Sequence, residues 1–212
     1  MCSHYEAPAH DRLAATFHVS CEARGDTQLW PGYKGPFLRR ADDLSELAPG
    51  DPGLQLEFGS FGLIPSWSKD TKIARRTYNA RSETVAEKPS FRNAWRRAQH
   101  CIIPAAAIYE PDWRSGRAIP TRIVRVDGEL MGIAGLWETW QEPGTGQTLF
   151  SYTMLTVNAD DHDFMRNYHK PADEKRMVVI LPKGLYQDWL DAPAHASADF
   201  MRRYPADRLA VA

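Results

Sequence analysis

The chain has 212 residues, of which 43% are hydrophobic and 25% charged, with 15 Pro and 14 Gly and a formal net charge of −1. These proportions exclude disorder, coiled coil and collagen, and the charge argues against a uniformly basic nucleic-acid binder. A chain of this length buries roughly 70% of its extended surface, so one domain over residues 1–212 holds a core without a disulfide or metal staple.

The predicted elements follow in chain order. Residues 1–20 hold Glu6, Asp11, Arg12 and three histidines, with no apolar stretch of the kind a secretory signal needs. A helix is expected over residues 8–19, and the acidic, Pro- and Gly-containing segment 41–53 reads as a loop and the most mobile part of the chain. Residues 54–58 alternate like a half-buried strand. Segment 69–97 then carries nine basic and three acidic residues, a local balance of +6 that leaves −7 for the remainder. The default reading is a solvated helical face, because Arg92, Arg96 and Arg97 lie at helical spacing within a helix expected at 89–97. The alternative is a phosphate-facing patch, with Trp67, Tyr78, Phe91 and Trp95 available to stack on bases.

Strands at 121–126 and 130–136 are joined by Asp127-Gly128, a hairpin signal, and a loop at 143–146 precedes a strand at 148–157. Helices are expected at 159–165 and 185–190, with a buried strand at 177–181 between them. The longest apolar runs, 101–108 and 177–181, fall far short of the roughly 20 residues of a membrane helix. Antiparallel hairpins with peripheral helices give an α+β class. Three cysteines, Cys2, Cys21 and Cys101, form no disulfide framework and read as thiols of a reducing compartment, which places the chain in the cytoplasm or nucleus.

Cys2 is the most informative residue. Without Met1 it would carry a free α-amine and a thiol on one carbon skeleton, both with ordinary pKa values near 8 to 8.5. A 1,2-aminothiol meeting an aldehyde forms a Schiff base and then closes a thiazolidine ring. The plain alternative is a cysteine at a frayed terminus. Asn79 and Arg81 lie in residues 79–84, where an amide could orient a substrate and a guanidinium hold a phosphate, although both types are common in turns and on surfaces. Glu110 ends the apolar run 101–110, so its pKa should be raised and it could shuttle protons near neutrality; an exposed loop start is the alternative. His169 precedes the buried strand and could donate to an oxygen that changes charge, or be structural. Cys2, His4, His18 and Cys21 could bind zinc, but their spacing is loose, and Cys101 has no papain-like local signature.

Five blocks, Met1-Cys2-Ser3-His4-Tyr5, Phe61-Gly62-Leu63-Ile64-Pro65-Ser66-Trp67, 78–84, 101–110 and 169–182, together resemble the SOS-response-associated peptidase (SRAP) family over residues 2 to about 190, leaving a short C-terminal tail. The resemblance implies a single α+β domain of mostly antiparallel, barrel-like mixed sheets with peripheral helices and a positively charged DNA channel. It implies a shield for abasic sites in single-stranded DNA, with autocatalytic removal of Met1 and a thiazolidine crosslink from Cys2 to the open-chain aldehyde. By motif, Cys2 would be the nucleophile, Asn79 would position its amine and the sugar, Glu110 would transfer protons, and His169 would assist ring opening and crosslink reversal. Arg81 and Trp67, with Arg75, Arg76 and His4, would contact the DNA. No cofactor and no metal are implied, and the chain is expected to act as a monomer, associated with a nucleoid or nucleus and not with a membrane.

The chain departs from the family pattern at four places. Ser3-His4-Tyr5 stands where Gly-Arg-Phe is common, and Trp30-Pro31-Gly32-Tyr33 is all that represents an Asn-x-Ala-Pro-Gly block. Glu110 is followed by Pro-Asp-Trp instead of directly by Trp, and His169 is separated from Arg176 by an insertion, with His162 as the fallback for its role. Two other function classes stay open at this point: a non-catalytic single-stranded DNA-binding module, and an N-terminal-nucleophile amidohydrolase using Cys2.

Overall fold

Apolar side chains recur through long β-forming stretches, and they can be buried from water only if the strands close on one another. The computed structural model, which describes residues 1–20, 26–42 and 52–212, shows how. In chain order the elements are β1 (His4–Glu6), α1 (His10–Phe17), β2 (Gln28–Leu29), β3 (Lys34–Arg40), β4 (Leu54–Phe61), a 3-10 helix (Thr71–Arg76) and β5 (Asn79–Arg81). There follow α2 (Arg92–Arg96), β6 (His100–Ala105), β7 (Ala107–Asp112), β8 (Ile119–Arg125), β9 (Met131–Gln141) and β10 (Thr148–Asn158). A 3-10 turn (Met165–Asn167), β11 (Arg176–Val178), β12 (Ile180–Leu181), α3 (Tyr186–Asp191) and β13 (Leu209–Val211) complete the chain.

Strands β10, β4, β3, β6 and β9 pair in that order and β9 pairs back to β10, which closes a five-stranded barrel. Every neighbour in the ring is antiparallel except β4 and β10. A second sheet, ordered β13-β8-β7-β1-β2, is antiparallel throughout. The α+β class with barrel-like sheets and peripheral helices is therefore as expected. At the shortest passage between the two sheets, β6 ends in the barrel at Ala105, β7 starts in the second sheet at Ala107, and the Ala106 N–H between them donates to the Glu6 carbonyl at 2.7 Å. Inside, the Tyr5 and Tyr152 hydroxyls meet at 2.5 Å, and Gly35 leaves the space they occupy.

Several local expectations are corrected. Asp127-Gly128 makes a turn, with Gly128 at φ +73°, but not a hairpin, because β8 pairs β7 and β13 while β9 joins the barrel. The turn carries the chain between sheets, a choice that local turn chemistry does not contain. The helix expected at 159–165 is absent. Asn158 and Asp160 offer their side chains to nearby backbone N–H groups, Asp160 N to Asn158 Oδ1 at 3.1 Å and Lys175 N to Asp160 Oδ1 at 2.7 Å, which competes with helical bonding. The strand expected at 177–181 is split. Val179 bonds to Leu155 on one side and to Ala134 on the other, so β11 pairs β10 and β12 pairs β9 where those two part. Residues after 190 are integrated: Tyr204 and Leu209 are buried, and β13 extends the second sheet. Of the loop expected at 41–53, residues 43–51 lie outside the described residues. No helix among the described residues is long and apolar enough to cross a membrane.

The basic segment divides by role. Ala94 and Trp95 of α2 are buried while Arg92 and Arg96 are exposed, the solvated face the spacing suggested. Phe91 and Trp95, at 9% exposure each, belong to the core and are not free to stack on bases, and Tyr78 packs on Phe61.

Candidate active site

Four side chains remote in sequence meet where the barrel adjoins the second sheet. Cys2 precedes β1 and is buried at 1% exposure, its Sγ 3.4 Å from the His4 carbonyl oxygen. Asn79 starts β5, which is fixed by its pairing with β10, and its Nδ2 donates to the Cys2 carbonyl at 2.7 Å. Glu110 lies on β7 at 1% exposure. His169 is placed by the end of the same strand: its N–H donates to the Pro111 carbonyl at 2.9 Å, and Tyr168 bridges to Asp112. Its φ of +66° is a left-handed conformation, uncommon for a residue other than glycine.

The His169 ring joins these groups. Its Nδ1 is 3.2 Å from the Met1 amino nitrogen and 3.4 Å from Glu110 Oε2, while Nε2 is 3.2 Å from the Arg176 carbonyl oxygen. One tautomer satisfies the contacts to the amine and to the carbonyl: Nε2–H donates to the carbonyl, and the Nδ1 lone pair accepts from the terminal ammonium. The Arg176 contact also resolves the insertion, because residues 170–175 leave from His169 and return to it. The Lys175 ammonium ties this loop by donating to the carbonyls of Lys170 and Asp173.

Burial dominates the electrostatics. Desolvation raises the Glu110 carboxyl to about 7, partly offset by the terminal ammonium. It lowers His169 to about 4, with the same ammonium acting in the same direction. The Cys2 thiol is pushed far above its ordinary range, first by burial and then by the Glu110 charge. Both Glu110 oxygens and Asn79 Oδ1 are buried without a hydrogen-bond partner. Buried polar atoms are nearly always paired, so these three acceptors, which have no protein partner, are open to water or to a bound group.

The remaining predicted residues lie outside this cluster. Arg81, two residues after Asn79, is exposed and pairs with Glu174 at 2.8 Å. Arg75 and Arg76 are exposed on the 3-10 helix, and Trp67, 54% exposed, donates its Nε1–H to the Pro89 carbonyl at 3.3 Å. His4 is stacked between Trp30 and Tyr109. His162 is structural: Nε2 bonds the Tyr204 carbonyl at 2.7 Å and Nδ1 accepts from Met165 N at 3.0 Å, so both nitrogens are used. Cys101 is fully buried on β6 within the barrel, opposite Gly135 of β9 and outside this cluster. Among the described residues no three potential ligands gather around a metal site, and Cys21 of the zinc reading lies outside them. Sequence reasoning offered Tyr78 only as a base-stacking aromatic and missed its place beside this cluster, where its phenol pKa is raised by burial and by the nearby Cys2 and Glu110. It also missed Glu174. Adjacency to Asn79 was the signal for Tyr78; Glu174 had none.

Fold and site define a class: a closed barrel with a flanking sheet whose terminal amine lies against a carboxyl–imidazole pair. A family model, SOS response associated peptidase (SRAP), matches residues 1–212, and the chain belongs to that family. The abasic site processing protein YoaM of Bacillus subtilis is 38% identical over 145 residues, covering 67% of this chain and 59% of YoaM. Abasic site processing protein HMCES of Gallus gallus is 24% identical over 204 residues, 85% of this chain and 58% of that protein. The chain thus spans under two thirds of the length of these relatives. A crystal structure of a Bordetella bronchiseptica protein superposes with a TM-score of 0.87 at 49% identity, over 100% of this chain and 98% of that one. A Bacteroides thetaiotaomicron structure shares the fold at a TM-score of 0.79 and 21% identity, over 99% and 90% of the two chains.

Proposed function

We propose that this chain processes abasic sites in single-stranded DNA by forming a thiazolidine crosslink from Cys2 after it removes its own Met1. The observation that carries the reading is the position of the terminus, with the Met1 amine 3.2 Å from His169 Nδ1, Glu110 alongside and the Cys2 carbonyl held by Asn79. The abasic-site names of YoaM and HMCES point to the same substrate.

Hydrolysis of the Met1–Cys2 amide consumes one water and frees methionine, leaving an amine and a thiol on Cys2. Asn79 Oδ1, buried and unpartnered, is the acceptor for the new amine. Ring opening of the deoxyribose moves the C1′ hydroxyl proton to the ring oxygen, and the neutral His169 ring is the relay for it. The amine then adds to the aldehyde carbon, the carbinolamine hydroxyl leaves as water, and a Schiff base remains. Sγ adds to the imine carbon while its proton goes to nitrogen, which closes the ring. The net change is protein plus strand less one water. Glu110, titrating at about 7, serves both proton steps: it donates to the leaving hydroxyl and accepts from a thiol that burial keeps protonated. All four groups come from one chain, so a monomer suffices. Arg81, Arg75, Arg76, Trp67 and His4 then serve strand binding, and selectivity comes from the aldehyde because phosphate contacts carry no lesion information.

The test is the intact mass of the purified protein before and after incubation with a uracil-glycosylase-treated single-stranded oligonucleotide, without borohydride. Loss of Met1 and a gain equal to the strand less water are expected. Cys2→Ala should fold normally and form no adduct; an adduct retained in that variant would falsify the mechanism. Equal affinity for intact and abasic strands with no covalent product would favour a plain binding module, the reading to which the +6 segment alone corresponds.

A further inference from the structure

A row of stacked rings crosses the second sheet beside the reactive terminus. His4 lies opposite Tyr109 of β7. Its ring packs between Tyr109 and Trp30, with centroids 4.0 and 4.1 Å away and planes 11° and 12° from parallel. Gln28 holds the imidazole in this plane, its side-chain oxygen 2.6 Å from Nε2. Neighbouring strands lie about 4.8 Å apart, so a row of flat side chains across them falls near stacking distance. The row ends at Trp30, which follows the edge strand β2. The indole is 40% exposed, and Tyr33, 46% exposed, tilts against it at 5.6 Å. Tyr33 also lines a cleft of about 300 Å³ with Pro31, Gly32, Ser60, Lys72 and Arg75, which sets two cations next to the aromatic corner.

We infer that Trp30 is a base-stacking subsite for the undamaged nucleotide next to the abasic position. The base lies on the indole face away from His4 as the next ring in the row, with its phosphate toward Arg75 and Lys72. The inference rests on the function proposed above and deepens it. An abasic nucleotide offers no base to grip, so the strand must be held by its phosphates and its neighbouring bases. Only Ser3 separates Cys2 from His4, so a base stacked on this row lies close to the nucleophile. Every base has a π-face, which makes such a subsite tolerant of sequence.

The experiment uses single strands with one abasic site, flanked on the 5′ or the 3′ side by thymidine or by a tetrahydrofuran spacer, which keeps the phosphate but lacks base and aldehyde. Adduct formation at sub-saturating protein is followed for wild type, Trp30→Ala and Trp30→Phe, each first shown to keep the parent melting temperature. For wild type, the spacer on one side should slow the reaction about tenfold, the order expected for loss of one base–aromatic stack. Trp30→Ala should slow the thymidine strand by the same factor and no longer distinguish it from the spacer, and Trp30→Phe should restore most of the difference. If Trp30→Ala still discriminates as wild type does, the inference falls while the crosslinking function stands. If wild type forms no adduct with any strand, both fall.

Discussion

Glu110 is the residue at which stability and chemistry oppose each other. Its carboxyl titrates at about 7 instead of the ordinary 4.5, so between those values the folded chain holds a proton that the unfolded chain has released. Stability therefore falls as pH rises through that window, by roughly 3 kcal/mol in total if the whole shift is expressed. Glu110→Gln should raise the urea midpoint at pH 8 and leave it unchanged at pH 4; equal midpoints at pH 8 would remove the argument. The same variant should slow adduct formation by roughly two to four orders of magnitude, because the amide neither gives nor takes a proton. His169 acts with the opposite sign. Its value is lowered from 6.5 to about 4, so its contribution is lost as pH falls through that interval, and His169→Asn should flatten the acid limb of the stability profile. Glu110 and His169 were legible as candidates from their positions beside apolar runs. Their contact was not, since the left-handed backbone that turns His169 toward Glu110 is imposed by the end of β7.

At the scale of elements, short segments carry the surface that would meet a strand. Gly62 follows β4 at φ +126°, and a side chain there would run into the backbone of Ala74 in the 3-10 helix that bears Arg75 and Arg76. The glycine of the 61–67 block thus sets the distance between barrel and basic helix. Gly62→Ala should cost about 1–3 kcal/mol and lower the melting temperature by several degrees; an unchanged melting temperature would show that the helix yields freely. The inserted loop 170–175 brings Glu174 to Arg81 at 2.8 Å, with both side chains partly exposed. A phosphate arriving at Arg81 must compete with this carboxylate. Glu174→Gln should raise affinity for a single strand by up to about fivefold at low salt, since exposed pairs contribute at most about 1 kcal/mol. The gain should vanish as salt screens the pair, and no gain at 20 mM salt would mean that Arg81 is not a phosphate contact.

For the whole molecule, a net charge of −1 conceals a segment of +6, and the exposed part of that segment is what a polyanion would feel. Replacing both Arg75 and Arg76 by Ala should weaken binding alike for all sequences and reduce the slope of log affinity against log salt by about 1.4, at roughly 0.7 per phosphate contact on a single strand; an unchanged slope would place the DNA elsewhere. The amino-acid sequence by itself determined the α+β class and the strands at β4, β8, β9 and β10, because periodicity and turn residues are local properties, while the resemblance to the SRAP family singled out Cys2, Asn79, Glu110 and His169 as candidates. Only the tertiary structure decided that 121–126 and 130–136 belong to different sheets, that β11 and β12 divide between β10 and β9, that His162 is structural, and that Glu174 faces Arg81. Each of these is a choice of partner between segments far apart in the chain, settled by closure of the barrel and by the need of every buried polar group for a hydrogen bond, and neither is written in any local stretch.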